Sequence, residues 1–511
     1  MDNLSNNKCI AKNTLMLYIR MLLSMVVSLY TSRVVLDVLG VEDYGIYGVV
    51  GGVVAMFSFL NASMAGATSR FLTFEMGRGD EQRLKDTFSS ALIIHIGIAL
   101  VVFILAETVG LWFLCNKLVI PAERMEAAHW VYQLSIIGMA VNVTQVPYNA
   151  SIIAHEKMDV YAYIELLHVF LKLGIVYMLT IGHYDKLILY ASLVLTVNIL
   201  IAGIYRFYCV KNYEESRFRY FLNMEVLKPM FGFSIWEILG HFGFSFRTQG
   251  TNIVLNMFFG VAINSAVGIA TTVQNTLVLF TNNVLVAIKP QIIKRYASGQ
   301  IQEMMSLIYT SIKTNLLIIL IISIPTLYCI NDILSVWLKE VPEYTSQFCA
   351  IMLSCNIITA FSQIIYTGIQ ATGDLKKTSV VRNVLYISTP IIAYLLFIIG
   401  DLSPIYAFIV IFIAQILQAL FDLIILSDKI KINSKYILQI LVKTLLIVVA
   451  ISYLINVVAR IIDNRLTIFL ISFSMSTFML SVAFYAFVFD GIEREGIAKF
   501  FKMIKTKYLK K

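Results

Sequence analysis

Residues 36–80 read LDVLGVEDYGIYGVVGGVVAMFSFLNASMAGATSRFLTFEMGRGD, and residues 256–300 read NMFFGVAINSAVGIATTVQNTLVLFTNNVLVAIKPQIIKRYASGQ. Each stretch has a short turn, a long apolar segment dotted with small and hydroxyl residues, and a polar exit loop. Gly40, Val41, Gly48, Val53 and Gly79 recur as Gly260, Val261, Gly268, Val273 and Gly299 at one offset of 220, without a gap. Further on, Gln145 and Tyr148 recur as Gln363 and Tyr366 at an offset of 218. A loop–helix–loop unit repeated at fixed spacing implies a duplicated chain. Chance similarity among apolar helices accounts for scattered glycines, but not for a constant offset.

The 511 residues are 59% hydrophobic and only 14% charged. A soluble domain holds about 25% charged residues. The apolar residues come in continuous blocks such as 187–210, 379–400 and 404–426, and about 20 apolar residues cross the bilayer core. Continuous blocks exclude the alternating pattern of a membrane barrel. The fold class is therefore an all-α polytopic membrane protein. The opening residues MDNLSNNKCIAKNTL carry no cleavable signal pattern.

Fourteen spans are expected, near 14–36, 45–71, 87–114, 126–153, 158–180, 187–210, 229–257, 262–288, 304–331, 346–371, 379–400, 404–427, 436–459 and 466–489. An even number puts both termini on one side. The tails and loops of that side hold 28 of the 40 lysines and arginines, and the opposite side holds seven. The excess of basic residues marks the cytoplasmic face, so a bacterial inner-membrane protein with both termini cytoplasmic is expected. The net charge of +9 is then a topology signal rather than a sign of nucleic-acid binding. The tail KFFKMIKTKYLKK is suited to anionic lipid.

Spans 1–6 map onto spans 7–12. Because six is even, the two copies enter from the same side and are related by an axis along the membrane normal, a parallel repeat. The expected divisions are an N-lobe at 1–212, a C-lobe at 213–428, spans 13 and 14 at 429–490, and a basic cytoplasmic tail at 491–511.

Catalytic chemistry is not visible. The chain has no phosphate-cradling G-x-x-x-x-G-K-[ST] and no H-E-x-x-H. Its six cysteines form no C-x-x-C. No cofactor or metal site is expected, and transport down or against a gradient fits better than an enzyme. A charge near the bilayer centre costs at least about 2.5 kcal/mol, so the ionisable residues within spans point to a polar interior. Arg20, Lys172, Arg247 and Lys313 are the candidate cavity cations. Ser24 shares a face with Arg20. Asn264, Thr271 and Asn275 lie along span 8, whose small-residue face also suits plain helix packing. Gly240, Gly243, Arg247 and Gly250 form one stripe of span 7, beside Glu237, His241, Ser245 and Thr248. Glu165, His168 and Lys172 share a face of span 5, as neutralising partners or as a proton relay. Glu165, Glu237 and His241 are the candidates for coupling to an H⁺ or Na⁺ gradient. The excess of deep cations suits an anionic substrate such as a diphosphate.

The run VVLDVLGVEDYGIYGVV, the small-residue helix after it, and the following SRF and GRGD resemble the bacterial polysaccharide flippases. These move O-antigen or capsule repeat units and belong to the multidrug/oligosaccharidyl-lipid/polysaccharide (MOP) exporter superfamily. The likeness is strongest over 15–86 and extends, as two six-helix lobes plus two helices, over most of the chain. It implies two lobes around a central cationic cavity that works by alternating access. The implied substrate is an undecaprenyl-diphosphate-linked oligosaccharide, carried from the cytoplasmic to the periplasmic leaflet for surface polysaccharide biosynthesis. A polysaccharide polymerase is an implied partner. The alternative is an ion-coupled multidrug and toxin extrusion antiporter.

Overall fold

The computed structural model describes the backbone of residues 2–155, 157–181, 184–218, 224–459, 465–495 and 498. The side chains of 1–21, 62, 63, 66, 67, 70, 77, 158, 224–227, 229–240, 283, 286, 287, 290, 458, 459, 465 and 466 lie outside that description. Among the described residues every regular element is a helix. The chain runs α1 (Asp2–Ala55), α2 (Ser58–Arg78), α3 (Glu81–Leu105), α4 (Leu111–Asn116), α5 (Met125–Ala154), α6 (Met158–Leu179), α7 (Lys186–Asn212) and α8 (Met224–Phe259). It continues through α9 (Val261–Ala297), α10 (Ile301–Tyr328), α11 (Ile330–Trp337), α12 (Thr345–Ala371), α13 (Lys376–Ile399), α14 (Ile405–Ile430), α15 (Ser434–Ala459) and α16 (Arg465–Ala483). Helix is present at each of the fourteen expected positions. Eleven helices among the described residues are long and apolar enough to cross a membrane.

Glycine sets the breaks. Within α1 the backbone kinks at Gly40, with φ 78° and ψ 173°, a region that only glycine occupies without strain. Gly260, with φ 76°, separates α8 from α9 in the same way. Gly79 ends α2 in the left-handed region (φ 72°, ψ 16°), and Gly299 (φ 75°) follows α9. Five glycines have positive φ among the described residues, and four of them are these two pairs. The repeat read from sequence thus recurs as a repeat of backbone geometry.

The second expected span is not continuous. Helix α1 stops at Ala55 and α2 starts at Ser58. There the Phe57 N–H donates to the Val54 carbonyl at 3.1 Å, a tightened three-residue step. The neighbouring Gly51 and Gly52 each cost a helix about 1 kcal/mol relative to alanine, which lets the turn form.

The helices pack as two compact units. The first comprises Met1–Thr272, Leu338–Thr345 and Arg382–Ala407; the second comprises Val273–Trp337, Ser346–Val381 and Phe408–Lys511. Ile46, Val49, Val50, Phe88, Val131, Tyr132 and Tyr205 are buried at the heart of the first. Ile308, Ile312, Leu316, Leu353, Ile364, Leu426 and Phe484 fill the second. Large apolar side chains also face outward, among them Leu100, Phe103 and Ile104 in the first unit and Val442, Leu445 and Leu446 in the second. In water such bands would drive association; in hydrocarbon they are the expected surface.

Candidate functional site

Arg247 projects from α8 within the first unit. Its guanidinium carbon lies 4.3 Å from the centre of the Tyr386 ring and 5.3 Å from that of Phe244. Planar guanidinium stacks on aromatic faces while its N–H groups stay free to bond in plane. Its Nη1 is buried and has no acceptor among the described residues. A buried donor without a partner carries a desolvation cost of about 1–3 kcal/mol. The glycines around Arg247 have another task. A Cβ on Gly243 would lie 2.2 Å from Asn383 Oδ1, and one on Gly250 would lie 3.3 Å from Pro390 Cγ. They admit α13 against α8 and so bring Tyr386 onto Arg247.

Glu165, His168 and Lys172 share α6 as their spacing requires. The Tyr205 hydroxyl donates to Glu165 Oε1 at 2.9 Å, and the Glu165 charge also acts on Lys172. Lys172 remains exposed. His241 is half-buried on α8. Ser24 and Thr271 are half-buried and Asn275 is exposed. The side chains of Arg20 and Glu237 lie outside the described residues.

Two expected cavity groups are used differently. Lys313 was expected to face an open cavity, but it is fully buried and its ammonium donates to Tyr436 Oη at 3.0 Å, Asp490 Oδ2 at 2.8 Å and Glu493 Oε2 at 2.9 Å. All three N–H donors are therefore taken. Tyr436 stands in the first turn of α15 and Asp490 lies beyond α16. The ammonium is thus level with helix ends, although Lys313 lies well inside α10. Asn264 is 1% exposed. Its Nδ2 donates to Asn252 Oδ1 at 2.7 Å, and its Oδ1 accepts from Asn256 Nδ2 at 2.9 Å. Buried amides must find partners, and this trio staples α8 to α9 instead of lining open space.

The duplicated faces meet within the first unit. A Cβ on Gly268 would lie 3.0 Å from Tyr44 Cε1, and one on Gly48 would lie 3.9 Å from the Asn264 carbonyl. Tyr44 and Asn264 are repeat partners, as are Gly48 and Gly268, so this contact is its own image under the repeat. Gly45 lies between them, where a Cβ would be 1.9 Å from the Val261 carbonyl. Ser265, the repeat partner of Gly45, donates its hydroxyl to the Val41 carbonyl.

Sequence reasoning missed the groups supplied from far away in the chain: Tyr386 on Arg247, Tyr205 on Glu165, and a bridge at one end of the first unit. There Arg124 Nη1 meets Asp185 Oδ2 and Arg124 Nη2 meets Asp43 Oδ2, each at 2.6 Å. The Arg124 hydrogen bond holds the Asp185 carboxyl below its usual range. Burial pulls Asp43 the other way, against the same guanidinium.

The MatE family matches residues 237–395, which include Arg247 and Tyr386. No curated protein matches the chain. A solved lipid II flippase, MurJ in an inward closed conformation, is similar with a TM-score of 0.70 at 13% identity, over 93% of this chain and 98% of that one. An inward-facing multidrug resistance MATE family transporter of the MOP superfamily is similar with a TM-score of 0.65 at 14% identity, over 80% of this chain and 94% of that one. A MOP superfamily transporter from Pyrococcus furiosus, described as having a binding pocket of reverse polarity, gives 0.59 at 15% identity, over 82% and 96%. The chain is a multi-pass membrane protein with the fold of the MOP superfamily transporters.

Proposed function

We propose that the protein translocates a polyprenyl-diphosphate-linked oligosaccharide, with undecaprenol as the lipid, from the cytoplasmic to the periplasmic leaflet by alternating access. The observation that carries this reading is Arg247. Its guanidinium is pinned on Tyr386, and a buried Nη1 has no acceptor among the described residues. A diphosphate supplies acceptors and charge together. Exposed Lys172 adds a second cation in the same unit, and the likeness to a lipid II flippase fits a lipid-linked cargo. The repeated glycine contact between α1 and α9 is the seam that has to part for the opposite state. Glu165, Glu237 and His241 remain the groups offered for coupling to H⁺ or Na⁺, and a polysaccharide polymerase remains the partner that would consume the product.

The MatE match favours a second reading, export of small molecules by ion-coupled antiport. One experiment separates them. The gene is deleted, then complemented with wild-type or Arg247→Gln protein, and lipid-linked oligosaccharide is assayed on each leaflet alongside drug sensitivity. Inner-leaflet accumulation rescued by wild type and not by Arg247→Gln is expected. Unchanged lipid-linked sugar with altered drug sensitivity would establish the antiporter instead.

A further inference from the structure

A cavity of about 390 Å³ opens inside the first unit, lined by α1, α5, α7 and one residue of α8. Its size falls within the roughly 300–1,000 Å³ of small-ligand pockets. We propose that it is the sugar subsite, taking the uncharged, hydroxyl-rich part of the cargo while Arg247 takes the anionic part. This rests on the flippase reading and deepens it.

The argument begins with charge. Tyr47, Ser135, Asn142, Asn198 and Gln249 supply the polar lining, and among the described residues no Asp, Glu, Lys or Arg lines the cavity. Around the cavity, Glu165 accepts from Tyr205 at 2.9 Å, Arg206 donates to the Thr144 hydroxyl at 2.7 Å, and His168 hydrogen-bonds Asn198; Arg247, two residues before Gln249, is not part of the lining. A diphosphate finds no cation here, and a cationic drug finds no carboxylate. A neutral polar ligand is what remains.

The amides narrow it further. Neither Asn142 nor Gln249 makes a side-chain hydrogen bond to another described residue. Each offers both donors and acceptors, the combination that sugar hydroxyls require. Tyr47 packs edge-on to Tyr190 at 4.7 Å, and its apolar ring suits the C–H face of a sugar. Glycine supplies the room. A Cβ on Gly52 would lie 2.7 Å from Gln249 Oε1, so glycine there lets that amide lie across the helix. Gly51 also lines the space, and a Cβ on it would meet nothing within 4 Å.

Gly51→Cys therefore places a thiol in the cavity without displacing a neighbour. The test uses the full chain in nanodiscs with Cys9 and the exposed Cys115 replaced by serine, and follows labelling of Gly51→Cys by an uncharged maleimide. The probes are inorganic diphosphate and the neutral glycan released and dephosphorylated from the host's own lipid-linked oligosaccharides. The expected result is labelling slowed about tenfold by the glycan and unchanged by diphosphate; a tenfold effect is the scale of a few good contacts. Protection by diphosphate, or by neither probe, overturns the subsite. The flippase reading is scored separately, by thermal stabilisation with diphosphate that disappears in Arg247→Gln. A second variant, Gly51→Leu, fills the cavity; it should unfold no lower than wild type, because it replaces a helix glycine, and flip about tenfold more slowly. Wild-type flipping by that variant also overturns the subsite.

Discussion

Lys313 is the buried cation whose role changed most between sequence and structure. Its position inside an apolar helix was legible, and so was the need for a partner. The partners were not, because Asp490 and Glu493 lie 177 and 180 residues away in sequence and only packing brings them together. Removing one side of a buried ion pair costs about 3–5 kcal/mol, since the other charges stay behind unpaired. Asp490 is 59% exposed and Glu493 only 12%, so Asp490 can return to water and the lower figure applies. Lys313→Met should lower the thermal unfolding temperature of the purified protein, by the equivalent of about 3 kcal/mol. Adding Glu493→Gln should recover part of the loss. An unchanged unfolding temperature with lost transport would return Lys313 to the cavity. Arg247 is the contrasting case. Its glycine neighbours were visible as a stripe, but the stripe faces α13, and the aromatic ring that orients the guanidinium comes from there.

At the scale of elements, the two duplicated turns look alike in sequence yet rest on different backbone demands. Gly40 has ψ near 173° at positive φ, where any Cβ is strained. Gly79 has the ordinary left-handed cap geometry, which asparagine also tolerates. Space does not distinguish them, because a Cβ at either glycine meets nothing within 4 Å. Backbone strain is therefore the only variable. Gly40→Ala should cost about 1–3 kcal/mol. Gly79→Ala should cost less, about 1 kcal/mol, and Gly79→Asn less again. Thermal unfolding of the three variants in detergent checks the order; equal losses at 40 and 79 would contradict it. These glycines were readable because a fixed offset singled them out. The break at Met56–Phe57 was not, since no proline or polar cluster marks it and the local apolar pattern continues across it. The three-asparagine staple of α8 and α9 was half-readable: Asn264 stood out as polar, but its burial depended on two residues of the preceding helix.

For the whole molecule, ion pairing bears on topology. On the side expected to be periplasmic, Arg124 pairs with Asp43 and Asp185, and Lys339 pairs with Asp37. On the side expected to be cytoplasmic, Lys85 pairs with Glu214, His155 with Glu215, and Lys429 with Asp374. Each pair lies within one compact unit, and each joins residues that the span count had put on the same face. An error of one span between 37 and 339, or between 374 and 429, would have forced some pair across the bilayer. The pairs support the alternation of sides, whereas the assignment of cytoplasm rests on the excess of basic residues. Single cysteines test the two together. In intact cells carrying the variant that lacks Cys9 and Cys115, Lys339→Cys should react with a membrane-impermeant maleimide and Asp374→Cys should not. After permeabilisation both should react, because Lys339 and Asp374 are 66% and 61% exposed. The reverse pattern in intact cells would keep the helix count and invert the direction of transport. Labelling of both residues before permeabilisation would break the alternation itself, and with it the parallel repeat.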